Sequence, residues 1–102
     1  MIEHIFFLEE KEKEEYGEFL WAKTQDERSS EAADYLEVLD TLIYLLEQNK
    51  SFSLREWVIH KREEFLWRLI QDGLNEDFII QLQKAKREEK WWFLEGIIWL
   101  KD

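Results

Sequence analysis

The apolar positions of this chain recur with the period of an α-helix in four successive stretches. The first stretch predicts a helix over about residues 2–23. Its inner stripe is Ile5, Leu8, Glu12, Glu15, Phe19 and Ala22. A polar connector follows, and either Ser29 or Ser30 is predicted to cap a second helix that runs to about residue 48. The unusual feature is an acid, Glu15, in the middle of an apolar stripe.

The second half of the chain predicts two further helices. Ser53 and Glu56 have the spacing of a capping box, which begins the third helix. Gly73 is a natural C-terminal stop, and Asn75 is predicted to cap the fourth helix. The residues expected to face inward from that helix are Phe78, Ile79, Leu82 and Ala85. The apolar segment 91–100 is a last short helix, an extended tail or a subunit interface, and its periodicity does not separate these.

Composition agrees with a purely helical fold. The chain has no proline and three glycines, which provides poorly for β-turns, and it is rich in helix-forming Glu, Leu, Lys and Ile. Its 102 residues are the size of one domain. We therefore predict an all-α fold, a bundle of four or slightly more helices, in a single domain over residues 1–102.

The net charge of −10 changes the list of candidate partners. Nucleic-acid backbones and anionic membrane surfaces need clustered Lys and Arg, so we expect neither as a partner. The absence of cysteine excludes disulfides and thiolate metal sites. No apolar run approaches the roughly 20 residues of a membrane span, and the N-terminus does not resemble a signal peptide. We expect a cytoplasmic protein.

Four acids are predicted to meet at the mouth of a groove between the first two helices. Glu15 and Glu18 are three residues apart on the first helix, and Glu31 and Asp34 have the same spacing on the second. Unpaired buried carboxylates cost several kcal/mol each, roughly, so they bind a cation, pair or neutralise. Oxygen ligands alone favour Mg²⁺, with Mn²⁺ as the alternative. Taken singly, Glu10, Glu12 and Glu14 are typical of a solvated helix face.

These acids carry a resemblance to a known family. The run Glu14-Glu15-Tyr16-Gly17-Glu18 matches an EExxE element, and after twelve residues Glu31-Ala32-Ala33-Asp34 matches an ExxD element. The pair resembles the motifs of the all-α nucleotide pyrophosphohydrolases, the MazG and phosphoribosyl-ATP pyrophosphohydrolase superfamily. The likeness covers residues 8–46 and is greatest to the small MazG-like branch that removes non-standard nucleotides.

The resemblance implies a function and a set of site residues. The expected reaction is hydrolysis of a nucleoside triphosphate to the monophosphate and pyrophosphate, in a homodimer or higher homo-oligomer whose partner subunit completes the site. By motif position the Mg²⁺ ligands are Glu15, Glu18, Glu31 and Asp34. The further candidates are Glu14 and Glu37 for catalysis or a second ion, and Lys84 and Arg87 for a phosphate.

A second hypothesis stays open at this point. The alternative is a non-catalytic, acidic helical-bundle interaction protein whose partner is a basic surface attracted by the negative charge. The two hypotheses differ in cation dependence. An enzyme requires a divalent cation held by Glu15 and Asp34, whereas an interaction protein tolerates loss of either acid as an ordinary surface change.

Overall fold

The structure is a computed structural model that describes residues 2–89, with side chains from residue 5 to residue 87. Its helices are α1 (Ile2–Trp21), α2 (Gln25–Gln48), α3 (Phe52–Gln71) and α4 (Glu76–Glu89). No strand is found between residues 2 and 89. The prediction of an all-α, four-helix bundle is confirmed. The predicted alternatives for the segment 91–100 fall outside the described residues.

Helix α2 lies at the centre of the bundle, because α1, α3 and α4 all pack against it. Its buried apolar residues are Ala32, Ala33, Tyr35, Leu36, Val38, Leu39, Leu42, Leu45 and Leu46. Each buried leucine stabilises the fold by about 1.5–3 kcal/mol relative to an exposed one. The helix that carries Glu31 and Asp34 is therefore held firmly by its own core contacts.

The buried stripe of α1 follows the prediction closely. Ile5, Leu8, Glu12, Glu15 and Phe19 are all buried. The interpretation of Glu12 as a surface acid is wrong, since only 9% of the residue is exposed. The stripe brings two acids into contact with α2, and they lie three residues apart on the same face of α1.

The predicted start of α2 is wrong by five or six residues. Thr24, not Ser29 or Ser30, is its N-cap, and the Thr24 hydroxyl accepts a hydrogen bond from the backbone N–H of Glu27 at 3.1 Å. Asp26 and Glu27 then occupy the first turn, where the helix dipole favours acids. The connection between α1 and α2 is consequently only three residues long, from residue 22 to residue 24.

The boundaries of α3 and α4 test three local signals. The capping box at Ser53 is wrong, because α3 already begins at Phe52, after Ser51. Gly73 ends the helix as predicted, at a φ of 79° that favours glycine. Asn75 caps α4 as predicted, and its side-chain oxygen accepts from the N–H of Phe78 at 2.9 Å.

The inward face of α4 is narrower than predicted. Ile79 is fully buried and Leu82 is partly buried, but Phe78 is 48% exposed and Ala85 is also exposed. The polar residue Gln83 is buried instead, and its amide donates to Asp40 of α2 at 2.8 Å. Helix α4 therefore packs on α2 through a mixed apolar and polar stripe. Across the described helices, no segment is both long and apolar enough to cross a lipid bilayer.

Candidate metal centre

Three of the four predicted metal ligands lie together where α1 meets α2. One carboxylate oxygen each from Glu15, Glu18 and Glu31 lies within 4.8 Å of the other two. Glu15 is buried, Glu31 is half-buried and Glu18 is exposed. We call these three residues the carboxylate cluster. It runs from the interior of the bundle to its surface, so its outer end is open to a ligand.

Asp34, the fourth predicted ligand, lies beside the cluster and is held by a lysine. Its side chain is 10% exposed, and its Oδ1 lies 3.1 Å from Nζ of Lys86 on α4. The charge of Asp34 nevertheless acts on both Glu15 and Glu31, and it raises the pKa of each. The four acids predicted from the two motifs are thus electrostatic neighbours, although Asp34 already has a cation of its own.

The electrostatics of the carboxylate cluster are unfavourable in the absence of a cation. Burial, and to a lesser degree the charges of Glu18 and Asp34, together raise the pKa of Glu15 from 4.5 to about 7. Burial and the adjacent Glu18 also raise the pKa of Glu31. Lys11 opposes this effect weakly, since its Nζ lies 3.8 Å from Glu15. The cluster therefore holds a proton more tightly than isolated glutamates do.

Two oxygens of the cluster have no hydrogen-bond partner. Oε2 of Glu15 and Oε2 of Glu31 are both buried, and neither accepts a hydrogen bond. A buried acceptor without a donor costs about 1–3 kcal/mol, and more when it is charged. The atoms that the carboxylate cluster offers as metal ligands are all carboxylate oxygens, which hard divalent cations prefer. The residues present therefore fit Mg²⁺ or Mn²⁺.

The two predicted catalytic acids lie outside the carboxylate cluster. Glu14 is on the surface, with its side chain 57% exposed, and it pairs with Lys11 at 3.5 Å. Glu37 is buried on α2 and accepts two hydrogen bonds from Arg87 of α4, at 2.7 and 3.0 Å. Glu37 is therefore already paired with a guanidinium, and its carboxylate links α2 to α4.

The predicted phosphate-binding residues differ in their positions. Arg87 forms the pair with Glu37, and this contact raises the pKa of its guanidinium. Lys84 is exposed on α4. The residue of α4 that pairs with a predicted metal ligand is Lys86, which lies 3.1 Å from Asp34 and which no motif indicated. A signal for it was present, because Lys86 follows Ile79 and Gln83 at helical spacing and so shares their buried face.

A second buried acid, Glu12, lies one turn before Glu15 on the same stripe of α1. Glu12 accepts a hydrogen bond from the hydroxyl of Tyr35 at 2.8 Å, and it also forms an ion pair with Lys61 of α3. Burial and the contact with Glu12 raise the pKa of Tyr35, which keeps its hydroxyl protonated as a donor. We call Glu12, Tyr35 and Lys61 the Glu12 network. Its acid has partners on two helices and is structural in character.

A cleft of about 260 Å³ adjoins the Glu12 network between α1, α2 and α3. Its walls are mainly apolar, with Leu39, Leu42 and Leu46 of α2 facing Trp57 and Val58 of α3. Lys61 lies 4.7 Å from the centre of the Trp57 ring and covers part of it. The cleft offers hydrophobic contact, whereas the unpaired carboxylates belong to the carboxylate cluster.

Comparison of the chain with known protein families, curated proteins and solved structures gives no match. The functional interpretation therefore depends on the geometry of the described residues and on the spacing of the two acidic motifs.

Proposed function

We propose that the protein is a Mg²⁺-dependent nucleoside triphosphate pyrophosphohydrolase, which removes non-standard nucleotides by converting them to the monophosphate and pyrophosphate. The observation that carries the proposal is the carboxylate cluster, in which buried oxygens of Glu15 and Glu31 lack a donor. The EExxE and ExxD spacing, with its resemblance to the MazG-like enzymes, supplies the reaction class.

The residues that would hold the cation are Glu15, Glu18, Glu31 and Asp34. When bound, Mg²⁺ would supply positive charge for the triphosphate and would lower the pKa of the water that attacks it. Glu15 forms the buried end of the site and excludes bulk water from that side. Glu18 is exposed at the outer end, and the carboxylate oxygen that it does not use for the cation would accept the proton of the attacking water.

The remaining predicted residues take supporting roles in this proposal. Glu37 is a positioning residue, because its two hydrogen bonds fix the guanidinium of Arg87 at the end of α4. Arg87 and the exposed Lys84 supply positive charge for the triphosphate as it approaches a strongly acidic protein. Glu14 faces solvent beside Glu15 and is the candidate ligand for a second ion.

A non-catalytic interaction protein is the competing proposal, and the exposed aromatic residues favour it. Trp21 is 82% exposed and Trp67 is 65% exposed. Trp67 lines one surface pocket together with Leu66 and Ile70, and a contiguous apolar surface is typical of a docking site for another protein. This function needs no divalent cation, so the two proposals make opposite predictions for metal dependence.

The deciding experiment measures pyrophosphate release from a panel of standard and modified nucleoside triphosphates, with and without Mg²⁺. Wild type is compared with Glu15→Gln and with Glu10→Gln, a matched change at an exposed acid of α1. We expect Mg²⁺-dependent release that Glu15→Gln abolishes and Glu10→Gln retains. Absence of release on every substrate, together with no thermal shift on adding Mg²⁺, favours the interaction protein.

A further inference from the structure

Lys86 lies in the last turn of α4 and reaches across to α2. Its ammonium donates hydrogen bonds to the backbone oxygen of Ser30 at 3.2 Å and to the Ser30 hydroxyl at 2.5 Å. It also lies 3.1 Å from Oδ1 of Asp34, and its side chain is only 18% exposed. Three oxygens of α2 thus hold one positive charge beside the carboxylate cluster.

The charge of Lys86 acts on more than its direct partner. It also lowers the pKa of Glu31, against the stronger effects of burial and Glu18. Lys86 therefore balances part of the negative charge on both acids that α2 contributes. A divalent cation bound by the same acids would carry like charge at close range, so the ammonium and the metal oppose one another.

We propose that Lys86 is an internal counter-cation that competes with the divalent metal for Asp34, and that metal binding transfers its ammonium from Asp34 to the phosphates of the substrate. The transfer to substrate rests on the proposed function, whereas the competition with metal requires only the carboxylate cluster. In the metal-free protein Lys86 holds Asp34 in place. In the loaded protein the same ammonium is available to an anion.

The attachment of α4 permits this exchange. Arg87, the next residue, donates two hydrogen bonds to Glu37, and Gln83 donates one to Asp40, so neither contact involves Lys86. The end of α4 therefore stays docked on α2 when Lys86 releases Asp34. Only a flexible lysine side chain has to move, through its own rotatable bonds.

The test is isothermal titration calorimetry of the full chain with Mn²⁺ alone. Lys86→Gln removes the charge and keeps a donor for Ser30, and the control Lys23→Gln removes a charge from an exposed position between α1 and α2. We expect Lys86→Gln to bind Mn²⁺ about tenfold more tightly than wild type, because a neighbouring positive charge is removed. Lys23→Gln and Lys86→Arg should stay within about twofold of wild type.

The second readout is the KM for the nucleotide in the presence of saturating Mg²⁺. Lys86→Gln should raise KM about tenfold, since a charge-assisted contact to phosphate is lost. Tighter metal binding with weaker nucleotide binding is the signature of the exchange, because simple structural damage weakens both. Lys86→Met serves the same comparison if circular dichroism finds Lys86→Gln unfolded.

The outcomes separate the two proposals. Unchanged or weaker Mn²⁺ binding by Lys86→Gln overturns the competition, even when wild type hydrolyses nucleotides. An unchanged KM overturns the transfer to phosphate. Tighter Mn²⁺ binding without any hydrolysis supports the competition and overturns the proposed function. Failure of wild type to bind Mn²⁺ overturns both.

Discussion

Glu12 and Glu15 lie three residues apart on the buried stripe of α1, yet their surroundings are opposite in kind. They are 9% and 8% exposed, so burial does not distinguish them. Glu12 accepts a hydrogen bond from Tyr35 and pairs with Lys61. Oε2 of Glu15 has no donor, and the neighbouring charges include those of Glu18 and Asp34.

The difference between the two acids is a way to separate structural from functional carboxylates. A buried acid that the protein supplies with donors contributes to the fold, and its removal leaves those donors unpaired. A buried acid among other acids costs stability when it is ionised, and either a proton or an external cation removes that cost. The identity of the neighbours, rather than burial or spacing, is therefore the feature that marks Glu15 as a candidate ligand.

The largest expected effect concerns metal affinity. Glu15→Gln should weaken Mg²⁺ or Mn²⁺ binding by about 100-fold, because it removes the buried anionic ligand of the cluster. Glu12→Gln should leave the affinity within about twofold of wild type, since the Glu12 network already satisfies that acid. Titration calorimetry measures both. An equal loss of metal affinity in the two variants would contradict the assignment of Glu15 as a ligand and Glu12 as a structural acid.

The next effect is the pH dependence of stability in EDTA. Folding raises the pKa of Glu15 from 4.5 to about 7, so the folded state binds its proton more tightly than the unfolded chain does. Raising the pH through this window therefore favours unfolding. Wild type should lose about 2 kcal/mol of unfolding free energy relative to Glu15→Gln between pH 5 and pH 8. Urea denaturation at both pH values tests this, and parallel pH profiles would contradict it.

A smaller effect of opposite sign is expected at the Glu12 network. Glu12→Gln should lower the unfolding free energy at pH 7 by about 1–2 kcal/mol, because Lys61 loses its ion pair and Tyr35 loses a charged acceptor. Glu15→Gln at the same pH should raise it. Chemical denaturation of both variants in EDTA gives the comparison. If Glu12→Gln instead raised the unfolding free energy, Glu12 would be, like Glu15, a buried acid that costs stability.

The smallest effect is expected at Glu14, the exposed neighbour of Glu15. Its ion pair with Lys11 is on the surface, so Glu14→Gln should change stability by no more than about 0.5 kcal/mol. Metal affinity should change by less than about twofold at low metal concentration. A tenfold loss of metal affinity in Glu14→Gln, measured by calorimetry, would contradict this and would show that Glu14 is a ligand of the primary site.

Much of the fold follows from local patterns. The apolar stripe of α1, the stop at Gly73 and the cap at Asn75 each depend on residues within one or two turns. The prediction of a cap at Ser29 or Ser30 is wrong because the chain offers several candidate caps. The helix uses Thr24, whose hydroxyl accepts a hydrogen bond from the N–H of Glu27. Local signals therefore predict the presence of a helix more accurately than the residue at which it begins.

The site was predicted only in part because its partners are distant in sequence. Glu15, Glu18 and Glu31 come from two adjacent helices whose facing stripes can be read from periodicity. The pairs Lys86–Asp34 and Arg87–Glu37 join residues that are about fifty positions apart. Their formation depends on how α4 packs on α2, which a single sequence does not specify. The partners of Glu12, which are Tyr35 and Lys61, were not predicted for the same reason.

The three-residue connection between α1 and α2 has a consequence for folding kinetics. It makes the contact of these two helices the most local tertiary contact of the site, and local contacts form early in folding. We therefore expect the repulsion among the acids to act on the folding transition state. A divalent cation that relieves this repulsion should accelerate folding more than it slows unfolding. The metal would then help to nucleate the α1–α2 hairpin.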